Sequence, residues 1–179
     1  MKERRYRMVL FEYNGEKCWT IYYAADGSNT EHDGFVLADE SSALYFCRQN
    51  DAWRYAEAHQ IDLGVNWKDN VQRFLLNVDC GKHGQYGSGF WGDCLDLWNA
   101  CSDMASSVDQ HFIGDLRQPD INTVYMKLFH NCHLPAAGGS PEDALLDEED
   151  WRVLQVVLED GISLILRSLP PFRMKLPVD

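Results

Sequence analysis

Cysteine and histidine side chains that could bind a metal ion occur at two places in the sequence. Cys80 and His83 form a C-x-x-H pair, and His130 and His133 flank Cys132. Four nitrogen or sulfur ligands would complete a tetrahedral zinc site. However, the spacings match no zinc finger or zinc ribbon, and the adjacent Cys132 and His133 cannot easily reach the same ion. We therefore predict no metal site and no cofactor.

Nucleophilic catalysis has no recognisable signature in the sequence. There is no G-x-S-x-G turn and no local cysteine–histidine motif, although such a pair can assemble in space. The glycine-rich segment GKHGQYGSGFWG, at 81–92, lacks the residue order of a phosphate-binding loop and is interpreted as a mobile loop. Tyr86 in this segment is a candidate contact for a partner. The chain is predicted not to be an enzyme.

Carboxylates are concentrated near the C-terminal end of the chain. Six of them lie within nine residues: Glu142, Asp143, Asp147, Glu148, Glu149 and Asp150. Asp147 is a suitable N-cap, and acidic residues in a first helical turn interact favourably with the helix dipole. Capping uses one or two of them, so the excess predicts a solvated face or an acidic patch for a basic partner. Asp93, Asp96 and Asp103 form a second acidic line.

The composition limits the range of partners. A chain of 179 residues with a net charge of −12 is expected to form a single domain, 1–179, that repels phosphate backbones. The charge also argues against a basic membrane-surface helix. No signal peptide and no membrane span are recognised, so we expect a cytoplasmic protein with reduced cysteines. Direct binding to nucleic acid or membrane is not predicted.

The elements that position these residues begin with a β-hairpin. Two aromatic and β-branched runs, at 7–13 and 17–23, flank Asn14-Gly15, a pair typical of a tight hairpin turn. Short strands are predicted at 35–38 and 42–47, followed by a helix capped by Asn50 or Asp51.

Helical periodicity dominates the rest of the chain. It predicts helices over 67–78 and about 91–108, an amphipathic segment at 122–133, and a final helix from about Asp147 that Gly161 ends or interrupts. The expected apolar stripe of the helix over 91–108 is Trp91, Cys94, Leu95, Trp98, Cys101, Ala105 and Val108, and that of the final helix is Trp151, Leu154, Val157 and Leu158. Tyr125, Leu128, Phe129 and Leu134 are also expected in the core. Together the patterns predict an α/β protein of the α+β type. Its small N-terminal sheet, mixed or antiparallel, would start with the hairpin and pack with several helices from the second half.

Three segments of the second half resemble a known family. They are CLDLWNACSDMASSV, VYMKLFHNCHLPAAG and DEEDWRVLQVVLEDGISLI, in this order. The sequence is similar here to the immunity proteins of contact-dependent growth inhibition, within the polymorphic toxin systems. The resemblance implies an inhibitor that binds the toxin domain of its own strain one to one. Many such toxins are nucleases with basic clefts, which an acidic protein would find quickly and occlude.

The candidate contacts for such a toxin are carboxylates that we expect to be exposed and that capping cannot all use, together with one aromatic residue. They are Asp93, Asp96, Asp103, Asp143, Glu148, Glu149 and Tyr86. Two other functions remain open from the sequence alone. One is a small metal-dependent hydrolase that uses Cys80, His83, His130 and His133, and the other is an acidic adaptor subunit.

Overall fold

The protein has an α+β fold. The computed structural model describes residues 4–25, 32–64, 71–77, 89–133 and 145–173. Within these ranges it contains a mixed four-stranded sheet, a two-stranded sheet and five α-helices, which confirms the predicted fold class. The chain groups into two compact units, so a single domain over 1–179 stays a prediction. Unit 1 comprises Met1–Asn77, Asp103–His111 and Leu164–Asp179, and unit 2 comprises Val78–Ser102 and Phe112–Ser163.

The predicted hairpin is confirmed and forms the centre of the larger sheet in unit 1. Strands β1 (Arg5–Tyr13) and β2 (Glu16–Ala24) pair antiparallel from Arg5↔Ala24 to Tyr13↔Glu16. Asn14 and Gly15 have φ values of 50° and 78°. Both positive values match a tight turn whose twist suits the flanking strands, and asparagine and glycine tolerate this conformation. The order of the sheet is β3-β2-β1-β6, with β3 at Gly34–Phe35 and β6 at Gln72–Leu75.

The predicted helix over 67–78 is wrong where the structure describes this segment. Residues Gln72–Leu75 form β6, which runs parallel to β1. Phe74 stacks on Phe11 with ring centroids 5.3 Å apart, whereas Leu75 is 57% exposed. The apolar spacing of this short run fits a helix or a strand, and pairing with β1 decides between them.

A helix and a small sheet complete the N-terminal part of unit 1. Strands β4 (Leu37–Asp39) and β5 (Ser42–Ala43) form the two-stranded sheet, and helix α1 follows at Gln49–Ala58. Arg48 occupies the N-cap without a side-chain cap hydrogen bond, so the predicted cap at Asn50 or Asp51 is wrong. Buried apolar side chains of the hairpin, of α1 and of the segment after α1 form a common core cluster: Met8, Ile21, Ala52, Ala56 and Leu63.

Three long helices follow in the chain, and the first and last of them carry the candidate residues Asp93, Asp96, Asp103, Glu148 and Glu149. They are α2 (Gly89–Ser107), α3 (Pro119–His133) and α4 (Glu148–Ser168), with a 3₁₀ turn at Ile113–Asp115 before α3 and the short α5 (Pro170–Arg173) at the end. The predicted apolar stripes are buried, with Trp91 half-buried: Cys94, Leu95, Trp98, Cys101, Ala105 and Val108 in the first, and Trp151, Leu154, Val157 and Leu158 in the last.

Two local predictions about these helices are corrected. Gly161 does not end α4, which continues to Ser168. Phe129, expected in the core, is 40% exposed on α3, whereas Leu128 beside it is fully buried. None of the described helices is long and apolar enough to cross a membrane.

Candidate functional site

The first turn of α4 uses two of its carboxylates to stabilise the helix. Asp147 Oδ1 accepts hydrogen bonds from the backbone N–H groups of Glu149 and Asp150, both at 2.9 Å. Asp150 Oδ2 accepts one from the Asp147 N–H at 2.9 Å and another from Lys127 Nζ at 2.5 Å. The predicted role of Asp147 as N-cap is confirmed. The carboxylates of Asp147 and Asp150 therefore stabilise the start of α4.

Glu148 and Glu149 are the exposed carboxylates of the same turn. Their side chains are 79% and 73% exposed, and both accept hydrogen bonds from the guanidinium of Arg152, at 2.6 Å and 3.0 Å. Arg152 is itself 64% exposed. Ion pairs at this level of exposure contribute little to stability, about 0.3–0.5 kcal/mol each for helical neighbours. A partner can therefore replace Arg152 at either glutamate with little cost to the fold.

An apolar groove lies directly beside Glu149. Its cavity of about 340 Å³ is lined by Ile113, Leu116, Gln118, Asp120, Ile121, Glu149, Arg152, Val153, Val156 and Val157, and we call it the α4 groove. Leu116 and Val156 are 39% and 56% exposed, whereas Ile121 and Val157 are buried. A concave surface of apolar side chains with a few charged groups around it can receive a side chain of a partner. The sequence prediction located Glu149 but missed the groove itself.

A signal for the α4 groove was present in the sequence of α4. The inward positions of this helix are Leu154, Val157 and Leu158, as predicted. Val153 and Val156 form a second apolar line at a spacing of three on the flank of that stripe. Flanking apolar positions of this kind widen the apolar face beyond what the core needs. The walls from the 3₁₀ turn and α3 come from distant parts of the chain and are not encoded locally.

Asp93 and Asp96 lie exposed on α2, as predicted. This part of α2 runs beside α3, because Tyr125 Oη donates a hydrogen bond to Asn99 Oδ1 at 3.1 Å. Burial raises the pKa of the Cys132 thiol, and the negative charge of Asp96 raises it further. Asp93 and Asp96 form a second acidic surface in unit 2.

Asp103 has a different environment from the one predicted. It is half-buried in unit 1, where its Oδ2 accepts a hydrogen bond from Tyr22 Oη at 2.9 Å, and Asp33 Oδ2 lies 3.0 Å from the same hydroxyl. The guanidinium of Arg7 lies 4.5 Å from the centroid of the Tyr22 ring. Burial raises the pKa of Tyr22, and the charge of Asp103 and its hydrogen bond add to this shift. The exposure expected of Asp103 is therefore wrong.

Several candidates lie outside the described residues. These are Tyr86, Asp143, Cys80, His83 and the side chain of His133. His130 is exposed on α3, where its ring contacts Phe129. The part of the chain that the structure describes contains no group of three or more His, Cys, Asp or Glu residues arranged to hold a metal ion. The prediction of no metal site stays a prediction.

Comparison with protein-family models, curated proteins and solved structures gave no match to this chain. The geometry of the described residues therefore provides the argument about function. Glu148 and Glu149 are exposed beside an apolar groove, whereas Asp147 and Asp150 of the same turn stabilise α4.

Proposed function

We propose that the protein is an immunity protein. It binds the C-terminal toxin domain of a contact-dependent growth inhibition effector of its own strain, in a one-to-one complex, and it neutralises that toxin in the cytoplasm of the producing cell. The observation that carries the proposal is the exposed Glu148–Glu149 pair beside the apolar α4 groove. Further support comes from the resemblance described above, whose segments contribute most of α2, α3 and α4.

The charge of the chain suits a basic toxin. A net charge of −12 accelerates the encounter with a positively charged domain through long-range attraction. Carboxylates at the rim of an interface mainly set the association rate and its salt dependence. Once the complex forms, a nuclease with a basic cleft loses access to its substrate, because the acidic surface occupies the place of the phosphate backbone. The protein itself needs no catalytic group for this role.

The test begins with the gene directly upstream. The C-terminal domain of the protein that it encodes is expressed in cells with and without this chain, and growth is scored. Binding of the two purified proteins is measured by titration calorimetry. The expected results are restored growth and a stoichiometry of one to one. If the wild-type chain neither protects nor binds this domain, the proposed function is wrong.

A charge-reversal pair tests the contribution of the acidic surface. Glu148→Lys with Glu149→Lys is expected to slow association, and to slow it more at low salt than at high salt. Glu40→Lys with Glu57→Lys is the matched control, because both are exposed glutamates in unit 1 and the pair changes the net charge by the same amount. Equal association rates for the double variant and the control at low salt would contradict acidic steering through α4.

A further inference from the structure

The α4 groove has an apolar lining, which would contact an apolar side chain of a partner, and a charged rim, which would contact its charged side chains. Its buried lining includes Ile121 and Val157, and its open edges include Leu116 and Val156. Its volume of about 340 Å³ is at the lower end of the range for ligand pockets, roughly 300–1,000 Å³. A cavity of this size and lining suits one or two aliphatic side chains better than a large cofactor.

The rim of the groove carries more negative than positive charge. Asp120 and Glu149 line it, and Glu148 lies next to Glu149 in the first turn. The cations are Arg152 in the lining and the exposed Arg117 between the lining residues Leu116 and Gln118. Because Arg152 pairs with both glutamates in a solvent-exposed position, those pairs exchange readily with cations of a partner. The rim is therefore complementary to arginine or lysine side chains that flank an apolar anchor.

A second copy of this chain is a poor occupant. In a symmetric dimer formed through the groove, the acidic rim of each protomer would face the same rim of the other protomer. The two chains would also repel each other, because each carries a net charge of −12. Juxtaposed like charges at an interface are unfavourable and are not compensated by two small apolar patches. The charge of the rim thus favours a basic partner over self-association.

We propose that the α4 groove is the docking site for a segment of the toxin domain that presents an aliphatic side chain flanked by arginine or lysine. This inference rests on the proposed function and specifies the surface and the chemistry of the contact. The aliphatic side chain enters between Leu116 and Val156, and the flanking cation replaces Arg152 at Glu149. Buried central contacts of this kind account for most of the affinity of an interface, whereas the charged rim governs association.

The experiment compares Val156→Asp with Leu75→Asp in binding to the toxin domain encoded upstream. Both residues are exposed aliphatic residues, at 56% and 57%, but Leu75 lies on β6 in unit 1. Val156→Asp is expected to weaken binding at least about 30-fold, as expected for a central contact, mainly through faster dissociation. Leu75→Asp is expected to bind like the wild type. Val156→Ser, a milder change, covers the case in which the aspartate variant fails to fold.

A charge exchange identifies the flanking cation. Glu149→Lys is expected to weaken binding, and replacement of the contacting arginine or lysine of the toxin domain by glutamate is expected to restore it. If the wild-type chain binds the toxin domain but Val156→Asp, Val156→Ser and Glu149→Lys bind equally well, the docking site is elsewhere and the proposed function still stands. If the wild-type chain does not bind, both proposals are wrong.

Discussion

Asp147 and Asp150 cap the first turn of α4 reciprocally. The Asp147 carboxylate accepts the N–H of Asp150, and the Asp150 carboxylate accepts the N–H of Asp147, each at 2.9 Å. This is the arrangement of a capping box, with aspartate in place of the usual glutamate at the third helical position. The N–H of Asp150, followed by the N–H of Glu149 and the charge of Lys127, lowers the pKa of the Asp147 carboxyl.

The cap predicts a pH-dependent contribution to stability. Since the pKa of Asp147 is lower in the folded than in the unfolded chain, its stabilisation is fully present above the unfolded value of about 3.9. It is lost as the pH falls through the folded pKa. Asp147→Ala should therefore lower the melting temperature more at pH 7 than at an acidic pH below the unfolded value, whereas Asp147→Ser, whose hydroxyl does not titrate in this range, should retain much of the cap at both. Thermal unfolding followed by circular dichroism measures this, and an equal decrease at both pH values would contradict it.

The ion pair between Lys127 and Asp150 should contribute more to stability than the pairs of Arg152. Its side chains are 22% and 11% exposed, and the Asp150 carboxylate is also part of the cap. Lys127→Met retains the aliphatic stem but leaves the Asp150 charge without its cation. We expect a loss of about 2 kcal/mol in the free energy of unfolding, the usual scale for a hydrogen bond to a charged group. Urea denaturation measures it.

Arg152→Met provides the matched control for Lys127→Met. Arg152 is 64% exposed, and both of its glutamate partners are exposed as well. The expected loss is less than about 1 kcal/mol. Similar losses for the two variants would show that burial does not distinguish these ion pairs.

Gly161 should not tolerate a side chain although it lies inside a helix. A Cβ atom at this position would overlap the Sγ atom of Cys101 and lie 2.8 Å from its Cβ. Alanine favours a helix interior over glycine by about 1 kcal/mol. Overpacking of a core usually costs about 1–3 kcal/mol, so we expect Gly161→Ala to lower the free energy of unfolding.

Gly92→Ala isolates the helical propensity from the packing effect. Gly92 lies in α2, and a Cβ at this position would meet no atom within 4 Å. The expected result is a gain of about 0.5–1 kcal/mol in the free energy of unfolding. A loss of stability in Gly92→Ala, or a gain in Gly161→Ala, would contradict this account of the two glycines.

The features predicted correctly from the sequence depend on neighbours along the chain. The hairpin follows from Asn14-Gly15 between two apolar runs, and the cap of α4 follows from Asp147 before a periodic helix. Trp98 illustrates the same point in α2, because its spacing in the apolar stripe alone identifies it as a core residue. Local pattern and local hydrogen bonding determine each of these features.

The features that the sequence did not predict depend on distant residues. Gln72–Leu75 becomes a strand because it pairs with β1, which lies about sixty residues earlier in the chain. Gly161 lies inside α4, and the packing of Cys101 against it, which leaves no room for a side chain, involves a residue sixty positions away. The same applies to the α4 groove, whose walls come from three separate elements. Periodicity contains no information about such contacts.

Ionisation of the Tyr22 hydroxyl should lower the free energy of unfolding at alkaline pH. Burial, followed by the charge of Asp103, raises the pKa of Tyr22 above its ordinary value of about 10. The hydroxyl of Tyr22 therefore contributes fully to the free energy of unfolding below about pH 10. This contribution is lost as the pH rises toward the pKa that Tyr22 has in the folded chain. Tyr22→Phe should be less stable than the wild type at pH 7 by about 1.5–3 kcal/mol, and the difference should narrow above pH 10. Denaturation at pH 7–11 measures it.

Tyr45→Phe serves as the control for the tyrosine prediction. Tyr45 is 37% exposed, so removal of its hydroxyl should change the free energy of unfolding little at any pH in this range. If Tyr45→Phe and Tyr22→Phe show the same pH dependence, the hydrogen bond of Tyr22 to Asp103 and the nearby Asp33 carboxylate do not account for the effect.

Asp103 and Glu149, both candidate contacts in the sequence, should now behave in opposite ways. Asp103 accepts a hydrogen bond from Tyr22, so Asp103→Ala should lower the free energy of unfolding by about 1–3 kcal/mol and leave the association rate with the toxin domain unchanged. Glu149 is exposed, so Glu149→Lys should change stability by less than about 1 kcal/mol but slow association at low salt. Denaturation and stopped-flow binding of both variants measure the two quantities. A slower association of Asp103→Ala, with stability unchanged, would show that Asp103 faces the partner instead.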